Sequence, residues 1–150
     1  MNMTVTKTRS DTGLATALRI SVSRLARRLR VERQAEGLAS LSDTQLTTLA
    51  VLDRHGAMTP GELAEHEKVQ PPSMTRVIAV LEERRLVMRA PHPTDRRQVV
   101  LTATEQGREL VSQARRRRDA WLAKRLKELS PEERAVLRAA APVLEKLSQA

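Results

Sequence analysis

The chain has 150 residues, with 27 Lys and Arg against 18 Asp and Glu, a net charge of +9 and a pI near 11.2. That is the length of one domain with a sizeable core, and a charge suited to a polyanion, either nucleic acid or an anionic membrane surface. The absence of cysteine excludes disulfides, cysteine-ligated zinc fingers and thiol redox sensing, and a single Trp with no Phe or Tyr argues against folds that stack bases on aromatic platforms.

No run of apolar residues is long enough to span a bilayer, and the first residues lack an apolar signal core, so a cytoplasmic location is expected. The charge is uneven. Bases exceed acids over residues 1–40, 68–104 and 105–150, whereas acids exceed bases over 41–67.

Residues 1–10 are polar, with Lys7 and Arg9, and read as a loose arm. From Asp11 the positions Leu14, Leu18, Val22, Leu25 and Leu29 step by three and four, which predicts an amphipathic helix to about Ala35 with Gly37 as its stop. Its other face carries Arg19, Arg24, Arg27, Arg28, Arg30 and Arg33, a run suited to a solvated face, to phosphate contact or to a dimer rim. Leu41-Ser42-Asp43-Thr44-Gln45-Leu46 combines a capping box (Ser42 with Gln45) and a hydrophobic staple (Leu41 with Leu46). The helix it opens continues through Leu49 and Leu52 to Gly56. Thr59-Pro60-Gly61-Glu62 is a second capping box, with Pro at the first helical position, opening a short helix to about Lys68.

The stretch from Val69 to Leu86 predicts the second helix of a helix-turn-helix. Gln70 is its N-cap, and Pro71 and Pro72 fall in the first turn, where a missing N–H costs nothing. Val77, Ile78 and Leu81 form an apolar stripe. Near its N-terminus Ser73, Thr75 and Arg76, beside Gln70 and Pro72, present side chains suited to base edges and phosphates in a major groove. An ordinary amphipathic helix with a polar outer face would carry the same residues. After Leu86 the period changes: Val87–Ala90 and Gln98–Leu101 read as strands around a turn-rich tip, Pro91 to Arg97. A hairpin in this place is a wing, and Arg96 and Arg97 at its tip fit a narrow, negative minor groove.

Thr102 and Glu105 suggest a third capping box, starting a helix lined by Leu110, Val111, Ala114, Leu122, Leu126 and Leu129, with Trp121 on a neighbouring face. At 1.5 Å per residue it would span roughly 40 Å, too long for one small domain to cover. The run Arg115 to Arg118 rings it as a solvated stretch. Ser130 and Glu133 make a fourth box and open a last helix with Leu137, Ala140, Leu144 and Leu147 on one side, kinked at Pro142. The first and last helices have apolar stripes without a partner in the winged core. Pairing them between two chains predicts a two-fold homodimer that presents two recognition helices to a pseudo-palindrome.

Together these motifs resemble the MarR family of bacterial transcriptional regulators. The resemblance spans roughly Thr12 to Leu147. It rests on the start at Leu41-Ser42 with Gln45-Leu46, on Leu49 and Leu52 followed by Gly56, and on Thr59-Pro60 with Glu62-Leu63-Ala64. It continues through Ser73, Thr75-Arg76, Ile78 and Leu81-Glu82. Its most specific part is Asp95-Arg96-Arg97, with Arg89 before it and Leu101-Thr102 and Gly107 after it.

The resemblance implies a mainly α, single MarR-like domain over residues 1–150. Residues 41–103 would form a winged helix-turn-helix with a two-strand wing, and the long helices 11–36 and 104–150 a dimerisation region. By the same resemblance the helix from Pro71 reads the major groove through Ser73, Thr75 and Arg76, Arg97 enters the minor groove, and Asp95 orients the wing through an ion pair with Arg89 or Arg97. Arg85 departs from the family, which commonly has Gly there; a left-handed conformation would cost Arg about 1 kcal/mol relative to Gly.

The implied partners are double-stranded DNA, a second copy of the chain and a small anionic or aromatic effector between the dimer helices and the winged core, with Arg19 and Arg24 as candidate contacts. No membrane partner and no cofactor are expected. His55, His66 and His92 lack metal-ligand spacing, and no nucleophile–base constellation, phosphate loop or paired carboxylates indicate an enzyme. The expected function is a sequence-specific transcriptional regulator, a repressor first. The alternative is a non-specific architectural DNA binder, which would show a steep salt dependence and little sequence preference.

Overall fold

A computed structural model describes residues 10–34 and 41–150. The arm with Lys7 and Arg9, the side chain of Arg33 and the stop at Gly37 lie outside the described residues. Six helices and one hairpin follow in order among the described residues: α1 (Asp11–Gln34), α2 (Asp43–His55), α3 (Pro60–His66), α4 (Pro71–Glu83), β1 (Val87–Pro91), β2 (Val99–Ala103), α5 (Glu105–Leu126) and α6 (Pro131–Ser148).

Local chemistry sets most of the helix starts. Ser42, Thr59 and Ser130 each accept the amide three residues on, and their own N–H groups donate to the side-chain oxygens of Gln45, Glu62 and Glu133. Gly56 ends α2 at φ +80°, and its N–H bonds to the Leu52 carbonyl. The start of α5 differs from expectation. Thr102 is paired with Met88 in the sheet, so the cap falls on Thr104, whose third helical residue is Gly107 and can return no side-chain bond. Thr104 Oγ instead accepts the Gly107 amide at 3.1 Å and donates to the Arg85 carbonyl at 2.7 Å, while its N–H bonds to the Leu86 carbonyl at 2.9 Å. Gly107 is required there, because a Cβ would stand 2.2 Å from the Leu86 carbonyl oxygen.

The hairpin is antiparallel, with Val87 opposite Ala103 and Pro91 opposite Val99. β2 therefore starts one residue later than the sequence suggests, because the Gln98 amide is spent on the Asp95 carbonyl in the tip, and it runs two residues further. A two-way bridge between Met58 and Leu101 (3.1 and 2.7 Å) ties the α2–α3 loop to the hairpin. α5 covers 22 residues, about 33 Å, and stops at Leu126 before the turn that leads to Ser130.

The core lies within the winged part. Leu49 and Leu52 of α2, Leu63 of α3, Leu101 of β2 and Val111 of α5 are fully buried with Met74, Ile78 and Leu81 of α4. The buried stripe of α4 thus runs i, i+4, i+7 from Met74, and Val77 sits at its edge, only partly buried. α5 is shared: its first half packs on α2 and β2, and α1 lies against it. By contrast α6 buries no residue, and it runs through Pro142, which offers no N–H to the Arg138 carbonyl.

Candidate nucleic-acid interface

The turn between α3 and α4 closes without glycine. Val69 N–H bonds to the Ala64 carbonyl and Lys68 N–H to the Glu65 carbonyl, the paired bonds of a Schellman motif, with Lys68 left-handed at φ +52°. α4 then begins at Gln70, which is extended and exposed and makes no side-chain cap bond. With Pro71 and Pro72 next, two of the amides that a helix start leaves unpaired do not exist. The Ser73 and Met74 amides both bond to the Gln70 carbonyl.

The outer side of this first turn is the polar face anticipated from the sequence. Pro72, Ser73, Thr75 and Arg76 are all exposed, away from the buried Met74, Ile78 and Leu81. Thr75 Oγ1 donates to the Pro71 carbonyl at 3.0 Å, so its acceptor lone pairs and its methyl remain for a ligand. Arg76 has no ion-pair partner among the described residues.

α4 ends in a second Schellman motif. Leu86 N–H bonds to the Leu81 carbonyl and Arg85 N–H to the Glu82 carbonyl, both at 2.9 Å, and Arg85 is left-handed at φ +60°. Arg in place of Gly therefore leaves the helix end unchanged in kind. The strained turn is held from the far side by the two bonds that Thr104 makes to it.

The ion pair that joins helix and wing is not the one expected. Arg89 reaches Glu82 on α4, with Nε and Nη2 both 2.7 Å from Oε1. Glu82, chiefly by hydrogen bonding, raises the pKa of the Arg89 guanidinium and keeps it charged. Asp95 acts on the backbone instead: its Oδ1 accepts the Arg97 amide at 3.0 Å and its carbonyl accepts the Gln98 amide at 3.1 Å. These bonds shape the tip that exposes Arg96 and Arg97. Neither guanidinium has an ion-pair partner among the described residues.

Two residues whose structural roles the sequence reading does not anticipate belong to this construction. Glu82 gave no signal because its partner is seven residues away across a helix end. His92, at the base of the tip, pairs its N–H with the Gln98 carbonyl and accepts further amides on its ring.

Residues 41–99, the helix-turn-helix and most of the hairpin, match the MarR family. A helix-turn-helix transcriptional regulator of Mycobacterium tuberculosis, MT0903.1, is 52% identical over 135 residues, 90% of this chain and 92% of that one. The transcriptional repressor MdtR of Bacillus subtilis is 33% identical over 73% of this chain and 69% of its own. The crystal structure of a transcriptional regulator from Pseudomonas aeruginosa superposes with a TM-score of 0.82 at 33% identity, covering 95% of this chain and 98% of the other. Among the described residues no helix is long and apolar enough to cross a membrane. The exposed polar first turn of α4, the wing behind it and these relatives converge: the chain belongs to the MarR family and is a DNA-binding transcriptional regulator.

Proposed function

We propose that the chain is a homodimeric, sequence-specific repressor. In this reading α4 of each copy enters one major groove of a pseudo-palindromic operator, with Gln70, Pro72, Ser73, Thr75 and Arg76 facing base edges and phosphates. The wing places Arg96 and Arg97 at the flanking minor groove. The observation that carries the reading is the exposed polar face at the start of α4, with Arg76 lacking an ion-pair partner among the described residues, on a helix whose other side is locked into the core. The name of MdtR as a repressor supports the direction of regulation. The unburied apolar side chains of α1 and α6 support the dimer, with residues 11–36 and 104–150 as its helices and 41–103 as the DNA-binding part.

The same reading includes a small anionic or aromatic effector. A cavity of about 330 Å³ lies between α1, α2 and α5, lined by Ala26, Leu29, Arg30, Asp43, Thr47 and Arg118. Ala26 and Leu29 give it apolar lining, and its two guanidinium groups belong to Arg30, 3.7 Å from the Asp43 carboxylate, and Arg118, not to Arg19 or Arg24.

Binding of the purified protein to its own upstream DNA and to a scrambled duplex, across a salt series, tests the reading. Tight binding of the native duplex alone at physiological salt is expected. Equal binding to both, lost together as salt rises, indicates the architectural alternative. Within a specific complex, Thr75→Ala and Arg76→Ala should each cost about 1–3 kcal/mol and change which base pairs matter, as read by operator-variant titrations. Uniform weakening across sequences would move those residues to phosphates.

A further inference from the structure

The wing tip has the form of a helix start that does not continue. His92 is followed by Pro93, Thr94 and Asp95, and its Nδ1 accepts the amide of Thr94 at 3.2 Å and that of Asp95 at 3.1 Å. Thr94 Oγ1 stands 3.4 Å from the same nitrogen. Elsewhere in the chain the same local order, a capping side chain followed directly by Pro, occurs at Thr59-Pro60 and Ser130-Pro131, where a hydroxyl oxygen takes the amide three residues on. Imidazole Nδ1 sits one bond beyond Cγ, the place of Oδ1 in Asn and Asp, which are among the best N-cap residues. His92 does the work of those side chains, with a nitrogen as the acceptor.

Nδ1 faces two N–H groups, so the ring serves this tip as an acceptor. The turn formed by these bonds leads straight into the Asp95 bond to the Arg97 amide. Arg96 and Arg97 therefore project from a segment whose shape depends on that ring.

We propose that His92 is the positioning residue of the wing: its ring caps the tip and so fixes where Arg96 and Arg97 stand. The proposal rests on the reading above in which the wing contacts DNA. The tip needs an acceptor at this place, which an asparagine carbonyl oxygen can supply and an alanine methyl cannot.

Operator affinity of the full-length protein is measured by fluorescence anisotropy for the wild type, His92→Ala, His92→Asn and Arg97→Ala. His92→Ala and Arg97→Ala are each expected to lose about tenfold, and His92→Asn to stay within about threefold of the wild type. Two results overturn the proposal while the wing reading stands: a loss in Arg97→Ala with none in His92→Ala, or an Asn variant as weak as the Ala variant. If Arg97→Ala costs nothing, the wing reading fails, and hydrogen exchange at the Thr94 and Asp95 amides decides the cap alone. Protection lost in His92→Ala and kept in His92→Asn then supports it, and equal exchange in all three overturns it.

Discussion

At the scale of single residues, Thr48 of α2 is fully buried, and its Oγ1 has no hydrogen-bond partner among the described residues. A buried hydroxyl left unpaired forfeits its hydration, at about 1–3 kcal/mol, whereas valine fills nearly the same volume without that loss. Thr48→Val is expected to stabilise the chain by about 1 kcal/mol and raise Tm by about 2–4 °C in a calorimetric scan. A lower Tm would mean that the hydroxyl has a partner in solution. Gly107 is the opposite case. Its Cα faces the Leu86 carbonyl, and an added methyl would displace backbone and not a flexible side chain. Gly107→Ala should cost about 3 kcal/mol or more in a urea titration, a large value because it opens the junction of α4, the hairpin and α5.

At the scale of elements, the Glu82–Arg89 ion pair links α4 to the wing and is partly exposed at both ends. Exposed ion pairs contribute little to stability, typically below 1 kcal/mol, so its value is in orientation. Glu82→Gln is expected to leave Tm within about 2 °C of the wild type yet weaken operator binding about threefold to tenfold. A fall in Tm with no loss of affinity would assign the pair to stability instead.

What was legible in the sequence follows from the range of the interactions. The boxes at Ser42, Thr59 and Ser130 act over three residues, so they could be read directly, as could the apolar spacing of α2. The box assigned to Thr102 failed because sheet pairing with Met88, fourteen residues back, outcompeted it. Glu82–Arg89, the bridge from Met58 to Leu101 and the bonds from Thr104 to the α4 end all depend on the hairpin folding back, which no local pattern announces. The His92 cap is local, but histidine is not among the residues that mark a cap.

At the scale of the whole molecule, both terminal helices keep large apolar side chains exposed among the described residues. On α6 Val136 is 67% exposed, Val143 59% and Leu147 58%, and on α1 Leu14, Val22 and Val31 are each close to half exposed. Exposed apolar stripes of this kind suit association, and in the dimer proposed above a second copy with the same stripes would cover both helices about a two-fold axis. Because Val143 and Leu147 contribute almost nothing to the protomer core, charges placed there should act on association alone. The double substitution Val143→Asp with Leu147→Asp is expected to convert a particle of twice 16.8 kDa into one of 16.8 kDa by sedimentation equilibrium. The helical far-UV signal of the winged core should be retained. On a two-half-site operator the variant should lose at least about a hundredfold in affinity, since each half-site would then be bound independently and the second contact would no longer be intramolecular. A variant that still sediments as a dimer would place the interface elsewhere, and a wild-type protein that sediments as a monomer would remove the two-fold arrangement and with it the pairing of two α4 helices on one operator.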